Sequence, residues 1–320
     1  MLALALALLG CEHEDEAGPP VLTLETTSTT DPRASAGEQV EAFVTAPDVA
    51  GLVALLGHSH ASARALLGPH HLHYRATFYT GPDPAELPLD QPLPDPVRDQ
   101  PIRERFVIED ELDLRWVAAP GGAPHFELHQ KGGEAPSARD VIVIGEQAWV
   151  QLDARGYFGR ELEDDPWPLW LDDAQHAVRD AVELAAPRLE LGALAELELG
   201  GRAALRVPLQ LGASVHAERI VEPPHAWRRA ASIDAISGEV VIDRATGLWL
   251  RATVEVAWHA QDSAGREVQG RVELSGEVEP LPDDETLRAT IRPPDAAKPL
   301  IERDRPELLR ERLLDGLAAP

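Results

Sequence analysis

Cysteine is almost absent from this chain: Cys11 is the only one in 320 residues. That excludes an internal disulfide and any thiolate-rich metal cage. Positive charge is also scarce. Lys and Arg number 29 against 55 Asp and Glu, for a formal net charge of −26. Such a chain repels phosphate backbones, and no basic stripe offsets this, so no nucleic-acid partner is expected. No apolar run reaches the roughly 18 to 20 residues that a membrane-spanning helix needs. There is no phosphate-binding glycine loop and no His-Glu-x-x-His pair, so neither a resident cofactor nor a metal is expected. Apolar side chains are plentiful, at 44%, and 28 prolines with 24 glycines break them into many short pieces. The length fits one large β-rich domain or two small ones.

The N-terminus reads MLALALALLGCEHEDE, with eight Leu and Ala residues at 2–9 and four acids within the five residues after Cys11. The run has the length of a signal-peptide apolar core ending at small residues. Leu8-Leu9-Gly10-Cys11 resembles the lipobox of bacterial lipoproteins. That resemblance implies a signal peptide over 1–10 and acylation of Cys11, which would anchor the chain to a membrane. It also implies the periplasmic side of the cell envelope. Glu12, rather than the Asp that retains many such proteins at the inner membrane, favours the outer membrane. Residues 11–46 are acidic and rich in Ser, Thr and Pro, and read as a lipid anchor and flexible tether.

A helix is expected from residue 49, with Asp48 as its cap and Gly57 as its stop, and a second over 61–67. From Leu72 the dominant period is two. Leu72, Tyr74, Ala76 and Phe78 share a face; Ile108, Leu112, Leu114 and Trp116 share another, broken only by Asp110. Ile142, Ile144, Ala148, Val150 and Leu152 read as one face across a Gly145-Glu146 turn or bulge. In GLWLRATVEVAW, Leu248, Leu250, Ala252, Val254, Val256 and Trp258 fall on one side and Trp249 with Arg251 on the other. These predict long antiparallel strands with one apolar and one wet face. Two helices interrupt or follow them, over 169–186 and within the 296–320 tail. The stretch 81–101 carries seven prolines and reads as an excursion between strands. The expected fold is therefore mainly β with a few helices, an α+β half-barrel over 47–295. Its strongly curved antiparallel sheet has helices covering the concave face.

Three stretches carry a resemblance to the LolA/LolB-like and LppX/LprG-like lipoprotein carriers. They are DVAGLVALLG followed by LHYRATFYT, then DVIVIGEQAWVQLDARGYFGREL with the helix after it, and EVVIDRATGLWLRATVEVAW with its Asp243–Gly247 turn. The resemblance implies a half-barrel that binds or carries an acyl-chain lipid or another amphipathic ligand. On that reading Trp116, Leu248, Leu250, Val254, Val256 and Trp258 would line an apolar cavity. Ala252, Gly270 and Gly276 would leave room for the guest, while the large tryptophans would take it away. The alternative is a structural or protein-interaction lipoprotein of the same fold whose core is filled. A third reading is a hydrolase. Gly57-His58-Ser59-His60-Ala61 approaches the G-x-S-x-G nucleophile elbow, but it lacks the final glycine and the strands that should precede it. No catalytic residue is therefore assigned. His58, His60, His70, His71 and His73 crowd into sixteen residues, and His71 with His73 fall on one strand face. No carboxylate stands beside them in sequence to complete a metal site. The acid runs at 161–165 and 172–173 lack the alternation of a calcium loop.

Overall fold

The computed structural model describes residues 32–81, 106–117, 119–132, 137–152, 156–162, 167–213, 231–261, 267–283 and 285–299. The expected signal peptide, Cys11 and the first part of the tether lie outside them. So do most of the proline-rich excursion and the helix expected within 296–320.

The chain enters through three short helices, α1 (Pro32–Thr45), α2 (Val49–Leu56) and α3 (His60–Leu67). The first corrects the tether, which was expected to run to residue 46. Ala36, Val40 and Phe43 form a single buried stripe at spacings of four and three, while Glu38, Gln39 and Glu41 are exposed. So sparse a stripe is masked by Ser, Thr and Glu in the sequence, yet it pins the helix to the core. Pro32 at its first position suits a helix start. Asp48 caps α2 as expected, accepting from Gly51 N at 2.6 Å. Gly57 ends that helix.

Among the described residues thirteen strands form one sheet. In chain order they are β1 (His70–Gly81), β2 (Phe106–Trp116), β3 (His125–Gly132), β4 (Ser137–Ile144), β5 (Gln147–Leu152) and β6 (Tyr157–Glu161). After the long helix α4 (Trp167–Ala185) come β7 (Leu189–Leu191), β8 (Ala195–Leu199), β9 (Arg202–Leu211), β10 (Ser232–Asp243), β11 (Trp249–Gln261) and β12 (Glu267–Pro280). The short α5 (Glu285–Arg288) and β13 (Ala297–Pro299) complete the order. The sheet runs β13-β6-β5-β4-β3-β2-β1-β12-β11-β10-β9-β7, with β8 also on β9. It is curved and does not close, as the half-barrel expectation required. Every pairing is antiparallel except β13 on β6. β1 sits mid-sheet between β2 and β12, so residues 70–81 join the two halves of the domain.

One face of the sheet carries the main core. Leu72, Phe78, Leu114, Phe126, Val207 and Val256 from the strands meet Phe43 of α1, Leu52 and Leu56 of α2, and Val178 and Val182 of α4. Each such side chain is worth roughly 1.5–3 kcal/mol on burial. The Asp243–Gly247 turn is tucked under this helix layer. Asp243 Oδ1 accepts from Ala245 N, Thr246 N and Thr246 Oγ1, and Arg202 Nε donates to Oδ2. Gly247 has φ of 72°, and a side chain there would meet Leu55 at 2.8 Å and Val40 at 3.0 Å, so glycine is required twice over.

Two parity expectations fail, each for a local reason. The Gly145-Glu146 loop has two residues, so Ile144 pairs with Gln147 and Val143 with Ala148. Val141, Val143, Ala148 and Val150 therefore face the core. Ile142 and Ile144 turn to the opposite face, where they pack near Trp149, Val117 and Ile291. In β11 a β-bulge inserts Leu250: Val241 opposes Arg251, while Ile242 opposes Trp249. The extra residue reverses the alternation. Trp249, expected on the wet side, is 1% exposed in the main core, and Leu250 leaves it.

Candidate functional site

The six residues expected to line a cavity do not share one face. Trp116, Val254, Val256 and Trp258 point into the helix-covered face and are buried in the main core. Leu250 packs with Ala204 and Val241 on the other face, because of the bulge. Leu248 precedes β11 and packs against Ala36 of α1 and Ala63 and Leu66 of α3. The glycines expected to leave room inside are covered by the chain's own rings. A Cβ on Gly270 would lie 2.1 Å from Cζ2 of Trp258, so that indole lies across the glycine. Gly276 is closed by Tyr74 and by the ring of Trp249. Trp249 in turn donates from Nε1 to the Gln175 carbonyl of α4 at 3.0 Å, tying helix to sheet. Phe78 packs on Trp258, and Trp116 stacks on Phe126.

Polar groups are also buried on this face. Asp110, the residue that breaks the β2 pattern, accepts from Tyr74 Oη at 2.9 Å and from Gln130 Nε2 at 3.0 Å. Gln130 Oε1 accepts from Arg139 at 2.7 Å. The residues come from four adjacent strands, so their meeting was not readable from sequence. Under α3, His60 and His70 are buried with ring centroids 5.1 Å apart, and His60 meets Trp116 edge-on at the same distance. His70 Nδ1 bonds the Gly68 carbonyl, while Nε2 of both rings is buried without a hydrogen-bond partner. Burial pushes both imidazoles toward the neutral form, His70 to about 4 and His60 well below its ordinary value, and each is further disfavoured as a cation by neighbouring positive groups.

Ser59 is a helix cap. Its Oγ accepts from Ser62 N at 3.2 Å and lies 3.2 Å from Ser62 Oγ, at the start of α3. Asp172 Oδ1 accepts from the backbone N of His60, so this acid fixes α3 to α4. The resemblance to a nucleophile elbow thus comes from a Ser N-cap between two helices.

The opposite face of β1–β4 brings together what the sequence held far apart. His71 Nε2 lies 2.8 Å from Asp113 Oδ2, and His73 Nε2 lies 3.7 Å from Glu111 Oε1. In register, His73 opposes Asp113 on β2 and Glu277 on β12, and Asp113 opposes His129 on β3. His129 Nδ1 is 2.8 Å from Asp140 on β4. The bond to Asp113 raises the affinity of His71 for its proton, and the same bond holds the Asp113 carboxyl below its usual range. Arg75, 2.9 Å from Glu111, does likewise for that carboxyl. Across β1, β12, β11 and β10 the same face holds a hollow of about 440 Å³ whose lining includes Thr77, Ser237, Thr253 and Ser275 with the charged Arg75, Arg271, Glu255 and Glu273.

No family model matches the chain, and no curated protein matches it. Among solved structures, chicken CD1-1 aligns over 65% of this chain and 95% of its own at 7% identity, with a TM-score of 0.08, a likeness that carries no argument.

Proposed function

We propose that this is a lipid-anchored protein of the bacterial cell envelope that serves as a structural or protein-interaction domain, with its half-barrel packed by its own side chains. The observation that carries the reading is the Trp258 indole lying across Gly270, at the place where a guest acyl chain would need space. The surface left for contact is the solvent face of the sheet, with its polar hollow and its rows of paired charges. Anchoring rests on the resemblance of Leu8-Leu9-Gly10-Cys11 to a lipobox.

Native mass spectrometry of the full chain carrying Cys11→Ala tests the packed interior, because that variant removes any covalent lipid. The expected result is a clean apo mass and no acyl species on solvent extraction. Val254→Trp should then act as an overpacking change, lowering stability by about 1–3 kcal/mol. A co-purifying acyl species that Val254→Trp displaces would overturn this reading in favour of a carrier.

A further inference from the structure

We propose that the solvent face of β1 and β2 holds a site for a divalent transition-metal ion, built by His71, His73 and Asp113. His71 and His73 are two apart on one strand, so both rings leave the same face. Each Nε2 points toward β2: one meets Asp113 at 2.8 Å, the other Glu111 at 3.7 Å. Asp113 is the residue directly opposite His73 in the ladder. Two imidazoles and one carboxylate are a donor set that suits zinc and its first-row neighbours, with positions left open for water.

Among the described residues no three such donors already converge on one point. The change needed is small. Donors to a tetrahedral zinc at about 2.0–2.2 Å lie about 3.3 Å from each other. The His71–Asp113 pair, at 2.8 Å, has to open by about half an ångström as the ion replaces the shared proton. His73 has to swing from Glu111 toward Asp113, its cross-strand neighbour. The side chains of His71, His73 and Asp113 are 30%, 39% and 38% exposed, so an ion can reach them and the rings can turn. The backbone beneath them is fixed, since β1 is paired along its length on both sides.

The surrounding charge favours a dication. Glu111 and Asp113 on β2 and Glu277 and Glu279 on β12 flank the two histidines. They face the guanidiniums of Arg75 and Arg115, leaving an excess of negative charge. Arg115 is paired with Glu127 and Arg75 with Glu111. Hard oxygen-seeking ions such as magnesium have little use for two imidazoles. His129, beyond Asp113, is held by Asp140 and is not a ligand.

The test is zinc and cobalt titration of the full, tag-free chain carrying Cys11→Ala, by calorimetry and by the visible spectrum of bound cobalt. One ion per chain is expected, with no uptake of magnesium. His71→Ala, His73→Ala and Asp113→Asn should each weaken zinc binding by at least about tenfold, a loss that even outer partners of metal ligands produce. His259→Ala, on the same face but paired to Asp234, should leave it unchanged. In the chain with both histidines intact, zinc should move the ring resonances of His71 and His73, which needs no variant to fold. Absence of zinc binding, or binding that survives loss of both histidines, overturns the site.

Discussion

At the scale of single residues, one glycine and one inserted leucine decide what the interior can do. Gly270 on β12 lies opposite Trp258 in the ladder and takes its ring. Gly270→Ala would put a methyl 2.1 Å from Cζ2 of a tryptophan that is only 5% exposed. The ring is buried and would have to shift, so the expected cost is about 2 kcal/mol or more. Urea unfolding measures it. In a Trp258→Leu background the same substitution should cost less than half as much, because the clashing atoms are gone. Equal costs in both backgrounds would mean that the indole does not fill this notch. The sequence could not foresee it: inward Gly270 and inward Trp258 read as room and as its loss, and only the register shows that one occupies the other. Leu250 makes the same point. The alternation through β11 is regular in the sequence, and a one-residue bulge sends Trp249 into the core and Leu250 out of it.

At the scale of elements, the long strands were legible because their apolar alternation is continuous, and α2 and α4 because each has a cap or a full apolar stripe. α1 was not, since three buried residues in fourteen leave no visible period. Nor was the His71–Asp113 pair, whose partners are 42 residues apart in the chain. The helix layer carries a further property that only packing reveals. His58, in the link between α2 and α3, His60 of α3 and His176 of α4 all belong to this layer, and burial lowers the proton affinity of each. Their folded pKa values lie below the unfolded value of about 6.5. As pH falls through that value the unfolded chain takes up protons that the folded chain refuses, so stability present above about pH 6.5 is progressively lost below it. His71, whose pKa moves the other way, is partly exposed and offsets little. The urea midpoint is expected to drop steadily between pH 7 and pH 5. His60→Phe keeps the ring contact with Trp116 and removes one titrating group, so its decline should be shallower by about 1–2 kcal/mol. A parallel decline would place the acid sensitivity elsewhere.

At the scale of the whole molecule, charge sets the balance. The chain carries a formal −26, and its many ion pairs lie mostly on the exposed face of the sheet. Salt acts on these two features in opposite directions. Screening weakens each exposed pair, but such a pair contributes only about 0–1 kcal/mol. Screening also relieves the repulsion among the excess carboxylates, and here range matters. The Debye length is about 30 Å at 0.01 M salt and about 8 Å at 0.15 M, while a domain of this size has a radius of gyration of about 20 Å. At low salt every acid in the fold therefore repels every other; at physiological salt only neighbours do. Unfolding spreads the charges apart, so the repulsion destabilises the folded state more than the unfolded one. The pairs are individually weak and local and the excess is large and global, so the second effect should win. The melting temperature is expected to rise by several degrees between 0.01 and 0.15 M sodium chloride, read by differential scanning calorimetry at pH 7.5. A fall over that range would show that the cross-strand pairs, among them those beside His71 and His73, hold the sheet more strongly than exposed pairs ordinarily do.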